Sequence, residues 1–335
     1  MVLLSRAHLI GNHLTSRAAT RAFASTSKMA NKLDINSTVS MKSGCRIPML
    51  GYGVYQTPAA DAEEVTAHAI SVGYRHVDSA TAYRNEQPSC AGMLKPGIAR
   101  DQLFFTSKVP PKCINYQDAK ACVDESLNKT GLSYIDLYLL HAPYGGKAGR
   151  LGAWQALVES VGEGKVRSIG VSNYGVHHLQ ELEDWQKVGF SIVPSALISH
   201  MLTFPQQQAS PEKAGIVSVN QVELHPFLAR PDIVSWCRRR DIVLEAYSPL
   251  SRGTRFDDPR IQSLAKKHSK TPAQILLRWN LQMGFVILPK SVTKSRIEEN
   301  KDVYDFELDA DDMKVLETGE YTPSTWDPTV APLSS

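Results

Sequence analysis

Short apolar runs rich in β-branched residues alternate along the chain with stretches of helical periodicity. This alternation predicts a parallel sheet with helices packed outside it, and eight such runs favour closure of the sheet into a barrel. The predicted fold class is therefore α/β, a (β/α)8 TIM barrel, in which functional groups lie on the loops that follow the strands. Strands are predicted over Met49–Tyr55, Tyr74–Ser79, Leu103–Lys108, Ile135–His141, Val166–Ser172, Val217–Leu224, Ile242–Ser248 and Phe285–Lys290.

The two ends of the barrel domain have patterns of their own. An N-terminal hairpin is predicted from Ser37 to Pro48, ahead of the first strand. The last segment, 319–335, is polar and proline-rich, and we expect a C-terminal loop over the mouth of the barrel; a frayed terminus is the alternative. Between the strands, Thr271 before Pro272 is typical of a helix N-cap. Helices are predicted, among others, over Ala60–Val72, Tyr116–Lys129, Leu151–Glu163, Pro231–Arg240, Thr271–Met283 and Asp309–Thr318.

Two segments depart from the pattern of a single barrel domain, which we place at residues 34–335. Residues 1–33 are rich in Arg, Lys, Ser, Thr and Ala and have no acidic residue, a composition typical of a mitochondrial targeting peptide. A disordered basic tail, or translation from Met29 to give a cytoplasmic protein, is the alternative. Residues 188–216 are longer than a strand–helix connection requires, which indicates a surface insertion or unspliced sequence in the gene model.

Composition and charge exclude several classes of function. The 335 residues are 42% hydrophobic and carry a net charge of +3, which indicates a globular chain and does not favour nucleic-acid binding. No apolar run is long enough to span a bilayer. The five cysteines form no CxxC pair, so we expect reduced thiols in an intracellular compartment. No GxGxxG motif opens a Rossmann domain, and no residue set has the spacing of a metal site.

Ionisable residues lie at the carboxyl ends of three successive predicted strands. Asp78 ends the second strand, and Tyr83 follows it by five residues. Lys108 ends the third strand and His141 the fourth. The intervals are about 30 residues, the length of one strand–helix unit. A barrel would therefore bring all four side chains to one mouth.

At these residues the chain resembles the aldo-keto reductases, a family of nicotinamide-dependent carbonyl reductases built on a (β/α)8 barrel. The resemblance extends from about Val39 to Pro332. It implies NADPH-dependent reduction of aldehydes and ketones to alcohols. The family's four catalytic residues would fall on Asp78, Tyr83, Lys108 and His141.

Each of these four residues has a role in delivering a proton to a carbonyl oxygen. Tyrosine has an ordinary pKa near ~10 and is a weak donor at neutral pH. We expect the ammonium of Lys108 to lower the pKa of Tyr83, and Asp78 to keep that ammonium charged and oriented. His141 would hydrogen-bond the carbonyl oxygen. Tyr83 is therefore predicted to be the general acid.

The later strands end in residues that suit a nicotinamide cofactor. Hydroxyl and amide side chains can hydrogen-bond its carboxamide, and an aromatic ring can stack on the nicotinamide. The loop 251–254 would contact the pyrophosphate. The residues assigned are Ser172, Asn173 and Gln221 for the carboxamide, Tyr247 for the ring, and Ser248 and Leu250 for the pyrophosphate.

The eighth strand leads into a basic segment that predicts the form of the cofactor. Lys290 and Ser291 end the strand, and Arg296 lies near the amino end of the next helix. A helix N-terminus and a guanidinium group both favour an anion. The segment resembles the family's site for a 2′-phosphate, which favours NADPH/NADP+ over NADH. Glu299 and Asn300 would face the adenine.

The substrate pocket is where this chain departs from the family. Tyr55 and Ala142 stand where tryptophan is common, and Arg84 follows Tyr83 where many members have glycine. We expect a pocket that is roomier near His141, a small-molecule carbonyl substrate and a monomeric chain. The predicted lining is Tyr55, His141, Ala142, Tyr144 and Trp326.

Two other functions remain open from the sequence. One is a non-catalytic NADP(H)-binding regulatory subunit on the same fold, against which the presence of both Tyr83 and Lys108 argues. The other is a barrel isomerase or aldolase in which Lys108 forms a Schiff base. A requirement for a nicotinamide cofactor would argue against the second.

Overall fold

The strands form a hairpin and a second, larger sheet in the computed structural model, which describes residues 32–189, 215–324 and 326–335. In the hairpin, β1 (Thr38–Ser40) pairs antiparallel with β2 (Arg46–Pro48), as predicted. The eight strands of the larger sheet are β3 (Gly51–Gly53), β4 (His76–Asp78), β5 (Phe104–Val109), β6 (Ile135–Leu140), β7 (Val166–Ser172), β8 (Val219–Glu223), β9 (Val243–Tyr247) and β10 (Val286–Leu288).

The larger sheet is a parallel barrel. Each strand from β3 to β10 pairs with the next in chain order. A parallel bridge between Leu50 and Ile287 joins the last strand to the first, and the N–H of Gly53 donates to the carbonyl of Pro289 beside it. The predicted (β/α)8 barrel is confirmed. Strands such as β6 are buried along their whole length, which explains why they appear as continuous apolar runs.

The hairpin lies against the amino end of the barrel. Met41, in the turn of the hairpin, and Ile47 of β2 belong to one buried cluster with residues of the barrel strands, among them Leu137 and Val219. The apolar faces of the hairpin and of the strand starts are thereby removed from water together. The hairpin does not cover the opposite end of the barrel, where the carboxyl ends of the strands carry the candidate functional residues.

Helices lie between the strands. Thr271 is the N-cap of one of them, as predicted. Its hydroxyl accepts from the backbone N–H of Gln274, and the Gln274 side chain accepts from the backbone N–H of Thr271. The helices are α1 (Ala59–Ser71), α2 (Glu86–Leu94), α3 (Tyr116–Thr130), α4 (Gly146–Gly162), α5 (Val176–Gly189), α6 (Pro231–Arg238), α7 (Pro259–His268), α8 (Pro272–Gln282), α9 (Lys294–Lys301) and α10 (Ala310–Val315).

Helix bounds differ most from the sequence prediction at two helices. α4 begins five residues before the predicted Leu151, because Gly145 adopts φ +87° and lets the chain turn directly into the helix. α10 ends at Val315, three residues before the predicted Thr318. Most of residues 1–33 and of 188–216 fall outside the described residues, and their predicted nature stays a prediction.

The C-terminal segment is fastened across the loops at the carboxyl end of the barrel. The buried guanidinium of Arg230, in the loop after β8, donates to the Asp327 carboxylate at 3.0 Å and to the Thr329 hydroxyl at 2.6 Å. Arg150 of α4, also buried, donates to the carbonyl of Leu333 at 2.7 Å. The side chains therefore hold the segment in place as the predicted loop over the mouth.

Candidate active site

The centre of the site is a buried ion pair between two neighbouring strands. The Lys108 ammonium on β5 donates to both oxygens of Asp78 on β4, at 2.8 and 2.9 Å. It also donates to the carbonyl of Ser79 at 2.7 Å. All three N–H groups are thereby used, and the lysine has no exposed surface. A lysine so enclosed and neutralised cannot reach a substrate carbonyl, and the Schiff-base hypothesis is not supported.

Beneath this pair lies a second buried carboxyl group, Glu245, which the sequence pattern did not reveal. Gln221 on β8 donates from Nε2 to Asp78 at 2.9 Å and to Glu245 on β9 at 3.1 Å. Burial and the charge of Asp78 raise the pKa of Glu245 to about 8. Only the alternation of side chains along β9 could have indicated it, since Glu245 stands two residues before Tyr247 and therefore on the same face.

The phenol of Tyr83 lies over the ion pair. Its residue is part of a single 3₁₀ turn, Thr81–Tyr83, in the loop after β4. The ring centroid is 5.1 Å from the Lys108 ammonium, and 5.5 Å from the centroid of the His141 ring. The structure therefore brings the four predicted catalytic residues to one place.

The expected net fall in the pKa of Tyr83 does not occur. Burial raises the pKa of Tyr83 well above its usual value, and the charge of Asp78 raises it further. The Lys108 ammonium is paired with Asp78, and the cost of burying a phenolate outweighs the attraction that the ammonium exerts on it. Tyr83 is consequently held in its protonated form, the form that a proton donor requires.

His141 is an uncharged hydrogen-bonding group. Burial and the neighbouring charge of Lys108 lower the pKa of His141 to about 3. Its Nδ1 is buried and has no hydrogen-bond partner among the described residues. A neutral imidazole can donate from one nitrogen and accept at the other, which suits orientation of a carbonyl oxygen.

The residues predicted to bind the nicotinamide carboxamide form one connected group. Asn173 donates to the carbonyl of His141 at 3.0 Å and to the hydroxyl of Ser172 at 3.1 Å. The hydroxyl of Tyr247 donates to Asn173 at 2.8 Å, which fixes the ring that was predicted to stack on the nicotinamide. Both N–H bonds of Gln221 are used by Asp78 and Glu245, so only its Oε1 is left to accept from a carboxamide.

The predicted phosphate residues lie around the start of α9. Arg296 is exposed and has no hydrogen bond or ion pair within the described part of the chain. The hydroxyl of Ser291 accepts from the N–H of Thr293, the residue before the helix, at 3.0 Å. Partial burial and the charge of Arg252 lower the pKa of Lys290. Lys290 therefore lies near a second cation, and Arg296 is exposed in the first turn of α9. This concentration of positive charge suits an anionic group.

Two predicted adenine contacts are less available than expected. The Glu299 carboxylate accepts from the hydroxyl of Thr271 at 2.7 Å, and Asn300 is buried. On the pyrophosphate side, Ser248 adopts φ +45° and begins a tight turn through Leu250 in which the N–H of Ser251 donates to the Ser248 carbonyl. That turn keeps the predicted loop close to the end of β9.

The predicted substrate pocket is only partly as expected. Tyr55 is half exposed, and its ring centroid is 5.0 Å from that of Tyr83. Trp326 of the C-terminal segment lies 5.8 Å from Tyr144, ring to ring. Ala142 is fully buried, so the prediction that it lines the pocket is wrong: it has no surface to offer a substrate.

We also searched the described ranges for a metal-binding group and for a membrane-spanning helix. No group of three or more His, Cys, Asp or Glu side chains there could hold a metal ion. In the same ranges, no helix combines the length and the apolar character needed to cross a bilayer.

The fold and the site together define a (β/α)8-barrel oxidoreductase. A sequence profile of the Aldo/keto reductase family matches residues 49–318. The chain belongs to the aldo/keto reductase family, and the predicted family is confirmed.

Similar proteins span almost the whole barrel. An uncharacterized oxidoreductase of Schizosaccharomyces pombe is 39% identical over 304 residues, 89% of this chain and 100% of that protein. Glyoxal reductase of Bacillus subtilis is 38% identical over 84% of this chain and 92% of its own length. The crystal structure of a mutant of Gox0644 in complex with NADPH is 32% identical, with a TM-score of 0.74. It covers 89% of this chain and 99% of Gox0644.

Proposed function

We propose that this protein is an NADPH-dependent reductase that converts aldehydes and ketones to alcohols, with Tyr83 as the general acid. The observation that carries the proposal is the meeting of a protonated phenol and a neutral imidazole above the Asp78–Lys108 pair. Beside them lie the polar groups suited to a nicotinamide carboxamide. The complex of Gox0644 with NADPH supports the same cofactor here.

The residues at the site fit NADPH, and different residues would bind its carboxamide, its nicotinamide ring and its 2′-phosphate. Gln221, Asn173 and Ser172 would hold the carboxamide, and Tyr247 would support the ring. Lys290 and Arg296 would bind the 2′-phosphate, because both are cationic and Arg296 has no competing partner within the described residues. When bound, NADPH supplies the hydride.

The proton is handled by the chain itself. His141 would hydrogen-bond the carbonyl oxygen and hold it near the hydroxyl of Tyr83. Tyr83 would then transfer its phenolic proton to that oxygen as negative charge develops there. The Lys108 ammonium, 5.1 Å from the ring, lies close enough to stabilise the resulting phenolate more than the uncharged phenol. Lys108 therefore favours transfer of the proton from Tyr83 to the carbonyl oxygen.

The test of the proton donor is Tyr83→Phe, with Tyr55→Phe as a matched control on the neighbouring ring. We expect Tyr83→Phe to lower kcat by about 10²–10⁴-fold, the usual contribution of a general acid. Affinity for NADPH, measured by quenching of protein fluorescence, should be unchanged because only a hydroxyl is removed. Turnover of a panel of aldehydes at the parent rate would refute the assignment.

The test of the cofactor is Arg296→Ala. We expect the Kd for NADPH to rise by roughly tenfold or more while the Kd for NADH changes little, since one charge-assisted bond to phosphate is lost. Lys301→Ala, at the far end of the same helix, is the control. Equal losses for the two cofactors would remove the 2′-phosphate role. Tight NADPH binding without turnover of any carbonyl would favour a regulatory subunit instead.

A further inference from the structure

The loop that carries Tyr83 is fastened by the two buried polar residues that end it. Asn85 donates from Nδ2 to the carbonyls of Val54 at 2.8 Å and Thr57 at 3.0 Å, both in the loop after β3. Its Oδ1 accepts from the hydroxyl of Ser79 at 3.2 Å. The carbonyl of the same Ser79 accepts from the Lys108 ammonium, so this anchor is joined directly to the ion pair.

Glu86 fastens the other side of the loop. It is the first residue of α2, lies three positions after Tyr83 and is 3% exposed. Its Oε1 accepts from the hydroxyl of Ser107 on β5 at 2.5 Å and from that of Ser126 on α3 at 2.8 Å. Ser107 is the residue before Lys108. The carboxylate therefore ties the loop of the phenol to the strand of the ammonium.

A carboxylate is a costly choice for this place if stability alone is considered. No cation forms an ion pair with Glu86 among the described residues, and burial of a carboxylate without a counter-ion is unfavourable. Two hydroxyl donors and the amino end of α2 offset part of that cost. Unlike an apolar residue, Glu86 makes two directed hydrogen bonds, one to Ser107 on β5 and one to Ser126 on α3.

Between the phenol and these anchors the chain makes a sharp turn. Arg84 adopts φ +58°, a left-handed conformation that a residue with a side chain enters at some cost in free energy. A backbone under such strain keeps its conformation only when its surroundings hold it. Asn85 and Glu86, which follow at once, are the groups in a position to do so.

We propose that Glu86 is a positioning residue for proton transfer, holding the Tyr83 loop against β5 so that the phenol stays in register with Lys108 and His141. The role rests on the proposed function, in which Tyr83 is the general acid. Glu86 does not touch the reacting atoms. It acts through the orientation of the phenol, and its loss should therefore affect turnover rather than cofactor binding.

The experiment compares Glu86→Ala with the isosteric Glu86→Gln, which keeps an oxygen that can accept from both serines. We expect Glu86→Ala to lower kcat by about 10–100-fold, because small misplacements of a reacting group have effects of that size. The Kd for NADPH should stay within about twofold, and the solvent deuterium isotope effect on kcat should rise because proton transfer becomes limiting. Glu86→Gln should restore most of the turnover.

The control for loss of a buried carboxylate is Asp136→Asn. Asp136 lies near the start of β6, away from the mouth, and accepts from Arg100 and from the N–H of Phe105 at 2.9 Å. Its replacement should lower the free energy of unfolding without changing kcat. If Glu86→Ala does not fold, Ser107→Ala removes one of the two bonds and should lower kcat in the same direction.

Two results would overturn the proposal. One is a Glu86→Ala protein, or in its absence a Ser107→Ala protein, with parent kcat and isotope effect. The other is a Gln variant that is as slow as the Ala variant although it is folded. Failure of the proposed function is recognised separately, because Tyr83→Phe would then turn over at the parent rate.

Discussion

The buried acid beneath the ion pair makes the stability of this protein depend on pH in a direction that can be calculated. Glu245 is fully buried, and its pKa rises from the ordinary 4.5 to about 8 because of burial and the charge of Asp78. The folded protein therefore keeps a proton that the unfolded chain releases above about pH 4.5. The stabilisation due to Glu245 is complete below that pH and is lost as the pH rises through about 8.

The size of the effect follows from the same values. Each tenfold change in proton affinity corresponds to about 1.36 kcal/mol, so the ceiling is ~5 kcal/mol between the two limits. Relaxation of the protein around a buried charge lowers the part of this ceiling that is realised, and a measured change of roughly 2–4 kcal/mol is expected. Glu245→Gln, which cannot ionise, should show none of it.

The assay is urea unfolding of the parent and of Glu245→Gln at several values from about pH 5 to about pH 9. The difference between the two free energies of unfolding isolates Glu245, since His76 and His141 titrate in both proteins. We expect the parent to lose stability relative to the variant as the pH rises. Parallel curves would show that Glu245 is ionised in the folded protein and would refute the reasoning.

A second buried glutamate supplies the opposite control. Hydrogen bonds from His225 and Ser324 outweigh burial and lower the pKa of Glu223. Its stabilising contribution is present above the ordinary pKa and is lost as the pH falls through the lowered value. Glu223→Gln should therefore reduce the free energy of unfolding at neutral pH, where Glu245→Gln should not. The same sign for both variants would show that the hydrogen bonds to Glu223 do not outweigh its burial.

Three further predictions concern the ion pair, the C-terminal segment and a helix cap. Asp78→Asn leaves the buried Lys108 ammonium without its counter-ion and should lower the free energy of unfolding by roughly 3–5 kcal/mol in urea; a loss under ~1 kcal/mol would contradict this. Arg230→Gln removes the anchor of the C-terminal segment and should change the fluorescence of Trp326 and raise KM more than it lowers kcat; unaltered values of both would exclude the anchoring role. Thr271→Ala removes the N-cap of α8 and should cost ~1 kcal/mol of thermal stability, measured by calorimetry, and an unchanged Tm would count against the cap.

The sequence was sufficient for the features that depend on local periodicity and on residue type. Alternating apolar runs and helical stretches predicted the barrel, because both faces of each strand are covered and must be apolar. The spacing of Asp78, Lys108 and His141 by about one strand–helix unit predicted that they share a mouth. The cap at Thr271 followed from the order of two residues. Each of these signals depends only on residue type and on spacing along the chain.

The predictions that failed depend on distances across the barrel. The pKa of Tyr83 was expected to fall, because the sequence indicates a lysine nearby but not how completely the phenol is buried. Ala142 was placed in the pocket, although burial of a single small side chain depends on the path of the loop around it. The role of Glu245 was not apparent, since its partner Gln221 lies on the preceding strand.

By itself the sequence determined the architecture, the family and the identity of the four groups at the mouth, because strand periodicity and residue order survive without coordinates. Only the tertiary structure decided the protonation of Tyr83, His141 and Glu245. Protonation depends on burial and on neighbours within a few ångströms, and here those neighbours come from strands separated by more than a hundred residues, as with Asp78 and Gln221.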